Sequence, residues 1–184
     1  MIREILLRLL HIIKSDSNKG FGIHSPFVFD FVVNVLNEKN GYYAYSEIEN
    51  VSSSSKQKKY LKLLYRIINY YRVRNILIVG NDGGVLLDKI IPFCPSLYIK
   101  RIDNLAQIGN VDNYDFIYVA VDTNDIHCSF SRDTIIVIEN LFDYRQHWKS
   151  VKIAEIPAIF IDFFDFGIIF AKNNFIKQFY RLIL

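Results

Sequence analysis

The hydrophobic and polar positions change period near residue 75, and that change divides the chain into two kinds of segment. Ile2, Ile5, Leu6, Leu9, Ile12 and Ile13 recur at three- and four-residue spacing with Arg3, Glu4, Arg8 and Lys14 between them, which predicts an amphipathic helix. Such a helix normally docks its apolar face on its own domain. With basic residues on the polar side, an interfacial membrane helix is the sharper alternative. After a turn-rich break at 16–22, Ser25 and Pro26 supply an N-cap and a first-turn proline ahead of Phe27, Phe29, Phe31, Val32, Val35 and Leu36, so a second helix starts there. Lys39, Asn40 and Gly41 end it. A third helix is expected over 56–71, with Leu61, Leu64, Tyr65 and Ile68 inward and Lys58, Lys59, Lys62 and Arg66 on a solvated face.

From Asn75 onward short continuous apolar runs replace the helical spacing, as strands buried on both faces require. They fall at 76–79, 97–102, 116–121 and 135–138, and the first is followed by a helix over 85–91 that Pro92 stops. Two further runs, 158–164 and 167–171, are split by Asp165 and Phe166, a spacing that suits a closing antiparallel hairpin. The order is that of an α/β protein with a mostly parallel sheet. The segments 103–115 and 122–134 hold 13 residues each and are rich in Asn, Asp, Gly and Ser, so the crossovers should be short or irregular. We therefore expect an N-terminal helical segment, 1–72, packed on a reduced Rossmann-like core, 73–184, with no internal repeat.

Composition narrows the function classes only a little. A chain of 184 residues suits one structural domain, and 51% apolar with 22% charged residues is ordinary for a globular protein. The net charge of +3 is modest and the cations are scattered, so no nucleic-acid face is indicated. Cys94 and Cys128 form no CxxC pair, and reduced thiols in a cytoplasmic protein fit best. Arg3, Glu4 and Arg8 interrupt the N-terminal apolar run, which argues against a signal peptide, and no run is long enough for a transmembrane span.

The candidate chemistry begins where the first strand ends. Gly80, Asn81, Asp82, Gly83 and Gly84 occupy the strand-to-helix loop, where glycines let a backbone approach a ligand above the carboxyl edge of a sheet. The spacing is neither GxGxxG nor a Walker loop, and ordinary turn chemistry accounts for it equally well.

Several landmarks resemble, in content and order, those of a family of bacterial class I S-adenosylmethionine-dependent methyltransferases. The stretch 22–30, GIHSPFVFD, resembles that family's GxHSPFVFD segment. The stretch 42–49, YYAYSEIE, resembles YYAFxEIE. The glycine strand ILIVG at 76–80 and the ending IDFFDFGIIF at 161–170 resemble the family's ILELG and IDLFxxGIVFF. With Lys177, Gln178 and Phe179 the resemblance extends over residues 22–184.

The resemblance implies a cofactor, S-adenosylmethionine, held by Gly80, Asn81, Asp82, Gly83 and Gly84, and a small-molecule acceptor. Against the family pattern, Ile78 replaces an acidic residue of the glycine strand, and Lys100 replaces the acidic residue that takes the ribose hydroxyls, for which Asp103 is the substitute candidate. Ala120 and Val121 stand where an Asp-Gly pair is expected after the next strand. The Asp-Asp pair that follows is Glu139-Asn140, the metal candidate with two hard oxygen donors. With Ala120 at the first ligand position, a divalent metal is not expected. Among the histidines His11, His24, His127 and His147, His24 is the catalytic candidate through its motif, although with Ser25 and Pro26 it reads first as a helix entry. Asp143, Tyr144, His147 and Trp148 fall on one expected helix where substrate would bind, or where Trp148 simply packs.

Two functions therefore stand side by side. One is methyl transfer from S-adenosylmethionine to a small acceptor, for which alignment matters more than side chains. The other is a degenerate, non-catalytic relative that binds a ligand, a protein partner or a second copy of itself, for which an exposed aromatic patch on Phe27, Phe31 or Phe166 would be the clue.

Overall fold

The computed structural model describes residues 2–16, 23–80, 85–103, 113–120, 133–143, 145, 148, 149 and 156–184. They form two compact units. One contains residues 1–15, 74–84 and 98–183, and the other contains 16–73, 85–97 and Leu184.

The first unit is a seven-stranded sheet. Its strands are β1 (Asn75–Val79), β2 (Tyr98–Ile102), β3 (Phe116–Val119), β4 (Thr134–Ile138), β5 (Ala158–Asp162), β6 (Gly167–Ala171) and β7 (Gln178–Arg181), in the order β2-β1-β3-β4-β6-β5-β7. β2, β1, β3 and β4 pair in parallel, β6 runs against both β4 and β5, and β7 lies parallel to β5. Six strands therefore share one direction and β6 alone opposes it. This is the expected mostly parallel, Rossmann-like α/β sheet with a closing antiparallel hairpin. β7 was not expected from the sequence.

The apolar runs are explained by burial. β1, β3, β4, β5 and β6 are buried along nearly their whole length. Alternate residues of the strands, Leu77, Val79, Ile117, Val119, Ile136 and Ile138 among them, join one hydrophobic cluster that Trp148 and Leu141 complete. β2, at an edge, exposes Tyr98, Lys100 and Arg101. Charged side chains on an edge strand discourage pairing with another chain. The hairpin turn is longer than its run of apolar residues suggests, since Phe163 and Phe164 leave the strand. Phe163 N donates to Phe166 O at 3.0 Å, and Phe164 adopts a φ of 74°. Asp162, buried at the end of β5, accepts from Phe164 N at 2.8 Å and from the Arg145 guanidinium.

Helix α1 (Ile2–Ile13) belongs to this unit, and it docks by the opposite face from the one expected. Arg8 makes a two-pronged ion pair with Asp165, at 2.8 and 2.7 Å, and lies over the Phe164 ring. His11 sits on Leu182 O at 3.2 Å and edge-on to Phe164. The aliphatic residues expected to pack inward instead face solvent, with Ile5 and Leu6 more than half exposed. The Asp165 carboxylate decides the orientation, because a bidentate, partly buried Arg–carboxylate pair is among the stronger polar contacts.

The second unit is helical. In α2 (Pro26–Phe31) Ser25 caps as expected, accepting from Val28 N at 3.4 Å, and the chain continues through a wider π turn, Val32–Leu36. After α3 (Tyr45–Asn50) comes α4 (Ser55–Tyr70), capped by Ser54, which accepts from Gln57 N at 3.1 Å. Helix α5 (Val85–Asp88) is shorter than expected, and Pro92 lies inside a following 3-10 turn, Ile91–Phe93, rather than ending one continuous helix.

Arg66, expected on the solvated face of α4, is buried. Its guanidinium donates to Val35 O and to Leu36 O and Tyr45 OH, the last two at 3.1 Å. Helix C-terminal carbonyls lack intrahelical donors and carry partial negative charge. Among the described residues these carbonyls and the Tyr45 hydroxyl hold the buried cation.

The expected short crossovers lie outside the described residues, and no described helix is long and apolar enough to cross a membrane. Gly167 fits under Trp148, since an added Cβ would come within 2.8 Å of the indole ring and 3.2 Å of Leu141. Gly167→Ala should therefore destabilise the chain by about 1–3 kcal/mol in urea unfolding followed by emission from Trp148, the single tryptophan. Adding Trp148→Phe should make the combined loss smaller than the sum of the separate ones. Arg66→Met should cost about 2–4 kcal/mol by leaving carbonyls unpaired. Arg66→Lys should recover only part of it, since an ammonium cannot span the three acceptors, and thermal melts of the pair would show whether it does.

Candidate functional site

The candidate site lies in the sheet unit, along the carboxyl ends of β2, β1, β3 and β4. Register places those ends level: Val79 pairs with Ile102 and with Val119, and Val119 pairs with Ile138. The ladder continues one rung past the strands. Gly80 N donates to Ile102 O at 2.8 Å, Ala120 N to Val79 O at 3.1 Å, and Glu139 N to Val119 O at 2.8 Å. Asp103, Gly80, Ala120 and Glu139 therefore form one row across four strands, with neighbours about 5 Å apart at ordinary strand spacing.

The chain leaves β1 toward β2 on one side and returns to β3 on the other, so the strand order reverses between β1 and β3. In open α/β sheets a crevice opens outside the carboxyl ends at such a point. Here its floor is made by Gly80 and Ala120, two of the smallest residues. Gly80 has a φ of 126°, a conformation L side chains rarely adopt, so the turn requires glycine. Ile78, where the resembling family has an acid, is fully buried in β1. Lys100 is exposed on the edge strand, three residues short of the row, whereas Asp103 stands exposed in it. Asn81, Asp82, Gly83 and Gly84 lie outside the described residues.

Glu139 and Asn140 end β4 in different ways. Tyr118 OH donates to Glu139 Oε2 at 2.9 Å, and burial raises the Glu139 pKa above the ordinary carboxyl value while the tyrosine hydrogen bond opposes that shift. Asn140 is exposed, with a φ of 53° in the left-handed region that asparagine tolerates, and begins the turn to Leu141. Among the described residues no three His, Cys, Asp or Glu side chains gather as a metal set. Tyr118 is the residue that sequence reasoning missed. Its signal was a phenol in an otherwise wholly apolar buried strand, since a buried hydroxyl needs a partner.

The remaining candidates do not join this row. His24 is exposed at the start of α2 in the helical unit, beside the capping Ser25. His11 is used by α1 against Leu182 O. Trp148 is buried, edge-on to Phe160, and packs on Gly167. Asp143 is exposed in a turn, and Tyr144, His127 and His147 lie outside the described residues. Cys94 is a buried thiol whose pKa burial pushes up to about 11, which makes it a poor nucleophile.

No family model matches the chain, and no curated protein sequence matches it significantly. Among solved structures it is similar to a Staphylococcus aureus protein assigned as a caffeoyl-CoA O-methyltransferase. The identity is 14%, the match covers 94% of this chain and 100% of that one, and the TM-score is 0.45. It is similar to an O-methyltransferase from Bacillus cereus solved with SAH, at 15% identity, 79% and 97% coverage and a TM-score of 0.40. The O-methyltransferase TomG from Streptomyces achromogenes, solved with SAM, matches at 12% identity, 79% and 96% coverage and a TM-score of 0.41. At these identities and TM-scores the likenesses are weak.

Proposed function

We propose that the sheet unit binds S-adenosylmethionine at the crevice beside Gly80 and is a reduced class I methyltransferase acting on a small acceptor. The observation that carries this reading is the coincidence of the β1–β3 reversal with a turn that only glycine fits and with Asp103 one strand away. The sequence resemblance over residues 22–184 supports it. In this reading the Gly80 turn lets the backbone approach the nucleoside, and the Asp103 carboxylate accepts from its ribose hydroxyls. Bound S-adenosylmethionine supplies a methyl group on a sulfonium, ready for in-line displacement. The residues present fit a nucleoside: the floor is free of bulk at Gly80 and Ala120, and the acid lies about 5 Å to one side.

A second reading is a non-catalytic descendant that keeps the ligand site. Ile78, Lys100 and Ala120 favour it, because each stands where the resembling family has a polar or acidic group. The aromatic patch that would mark a protein-binding module is not formed by Phe31 or Phe166, which are buried, and Phe27 is half-buried. A small ligand is thus the better partner in this reading too.

Calorimetric titration separates these outcomes. Both S-adenosylmethionine and S-adenosylhomocysteine should bind saturably, and Asp103→Asn should weaken each by about tenfold through loss of a charge-assisted hydrogen bond. Absence of heat at millimolar ligand would remove both readings. Binding without methyl transfer to any small hydroxyl, amine or thiol acceptor would leave the second. Glu139 supplies an independent check on the geometry. Its raised pKa means that the folded chain holds that proton more tightly than the unfolded chain. Its stabilising contribution is therefore complete below the ordinary glutamate value and is lost as pH rises from there through the raised one. Thermal melts in that window should fall with pH in the wild type and flatten in Glu139→Gln, which keeps an acceptor for Tyr118. Equal slopes would show that Glu139 is solvated.

A further inference from the structure

We propose that α1 is a membrane-surface helix that lays its aliphatic face on an anionic bilayer. The helix is fixed to the sheet unit by its polar side: Arg8 is held by Asp165 and faces Glu4 at 3.5 Å, and His11 is held at Leu182 O. At about 100° per residue, Ile12, Ile5, Leu9, Ile13, Leu6 and Leu10 cover an arc of about 160° on the other side. All six are exposed, Ile13 at 77% and Leu10 at 40%. No charged residue interrupts that arc. Arg3 and Lys14, both exposed, lie along one edge of it, about 20° and 40° beyond Leu10 on the same scale.

Three features select a lipid surface over other occupants. The face is wholly leucine and isoleucine, whereas protein interfaces concentrate their energy in Trp, Tyr and Arg anchors. Twelve residues make a helix of about 18 Å, too short to span a hydrocarbon core of about 30 Å, so the helix lies in the interface plane. The free charges at the rim are cations, since Glu4 is turned toward Arg8, and cations beside an apolar face favour anionic headgroups. Antiparallel pairing with a second copy is disfavoured by the same rim, since it sets Arg3 beside Lys14 and like charges meet.

The test is co-sedimentation of the full chain with phosphatidylcholine vesicles, pure or containing about a third phosphatidylserine, together with light scattering of the free protein. The wild type should sediment with the anionic vesicles and be released by added salt. Leu6→Glu with Leu9→Glu, both at exposed positions, should bring binding to background while circular dichroism stays unchanged. Arg3→Glu with Lys14→Glu should lower partitioning by at least about tenfold on anionic vesicles and much less on uncharged ones. Wild-type protein that stays in the supernatant at low salt would overturn the proposal. So would vesicle binding indifferent to the leucine pair, or a dimer that the leucine pair converts to monomer in the absence of vesicle binding.

Discussion

The parallel register of β2, β1, β3 and β4 is the constraint on which the rest of the sheet unit depends. Because Val79 pairs level with both Ile102 and Val119, and Val119 with Ile138, the four strands end together. One further rung of backbone hydrogen bonds then carries Gly80, Ala120 and Glu139 beyond the strands without loss of order. A slip of one residue would turn every side chain to the other face. With both faces buried, that slip would not simply trade core for solvent. It would misalign branched residues against neighbours already packed, and it would scatter the row that forms the crevice floor. The site's geometry thus rests on backbone pairing and aliphatic packing, and the polar groups around it are added to a frame that stands without them.

Those polar groups show how this chain keeps charge inside. Arg66 is buried among helix-end carbonyls, and Asp162 among a backbone amide, a guanidinium and, at 3.7 Å, the His11 ring. Each buried charge has several partners with geometry fixed by a secondary-structure terminus. Glu139 differs, having one phenolic donor and burial that pushes it toward the neutral form. A divalent cation needs an ionised oxygen donor, and the burial of Glu139 works against that form while the Tyr118 hydrogen bond favours it.

Much of the sheet was legible in the sequence because burial on both faces leaves an unambiguous mark. The runs at 76–79, 116–121, 135–138, 158–164 and 167–171 each contain a strand, and the two glycines that matter most, Gly80 and Gly167, close one run and open another. β7 escaped because an edge strand of four residues, Gln178–Arg181, needs to bury only part of its surface, and its half-buried alternation reads like a loop. Arg66 escaped for a different reason. It follows the same helical spacing as Lys58, Lys59 and Lys62, and only the arrival of Val35 and Leu36, some 30 residues earlier in the chain, makes its position interior. Of the candidate site, Gly80 could be read from a strand's end and its loop, and Asp103 only through the resemblance. The Tyr118–Glu139 contact was not, since the two residues are 21 apart and meet only through strand register.

Helix α1 exposes a general limit of periodicity. A spacing of three and four shows that a helix has two unlike faces, and the usual inference that the apolar one points inward adds an assumption about what lies opposite. Here the residues opposite are Asp162 and Asp165 at the β5–β6 turn, more than 150 positions away in sequence. The partly buried Asp165 takes a bidentate pair from Arg8, and His11, on the same side of α1, lies 3.7 Å from the buried Asp162 and against Leu182 O. Leaving the partly buried Asp165 carboxylate unpaired would be costly, and the bidentate Arg8 pair removes that cost. The turn therefore chooses the helix's orientation. An aliphatic surface left facing water is the consequence, and an exposed continuous apolar face of this kind calls for an occupant outside the unit.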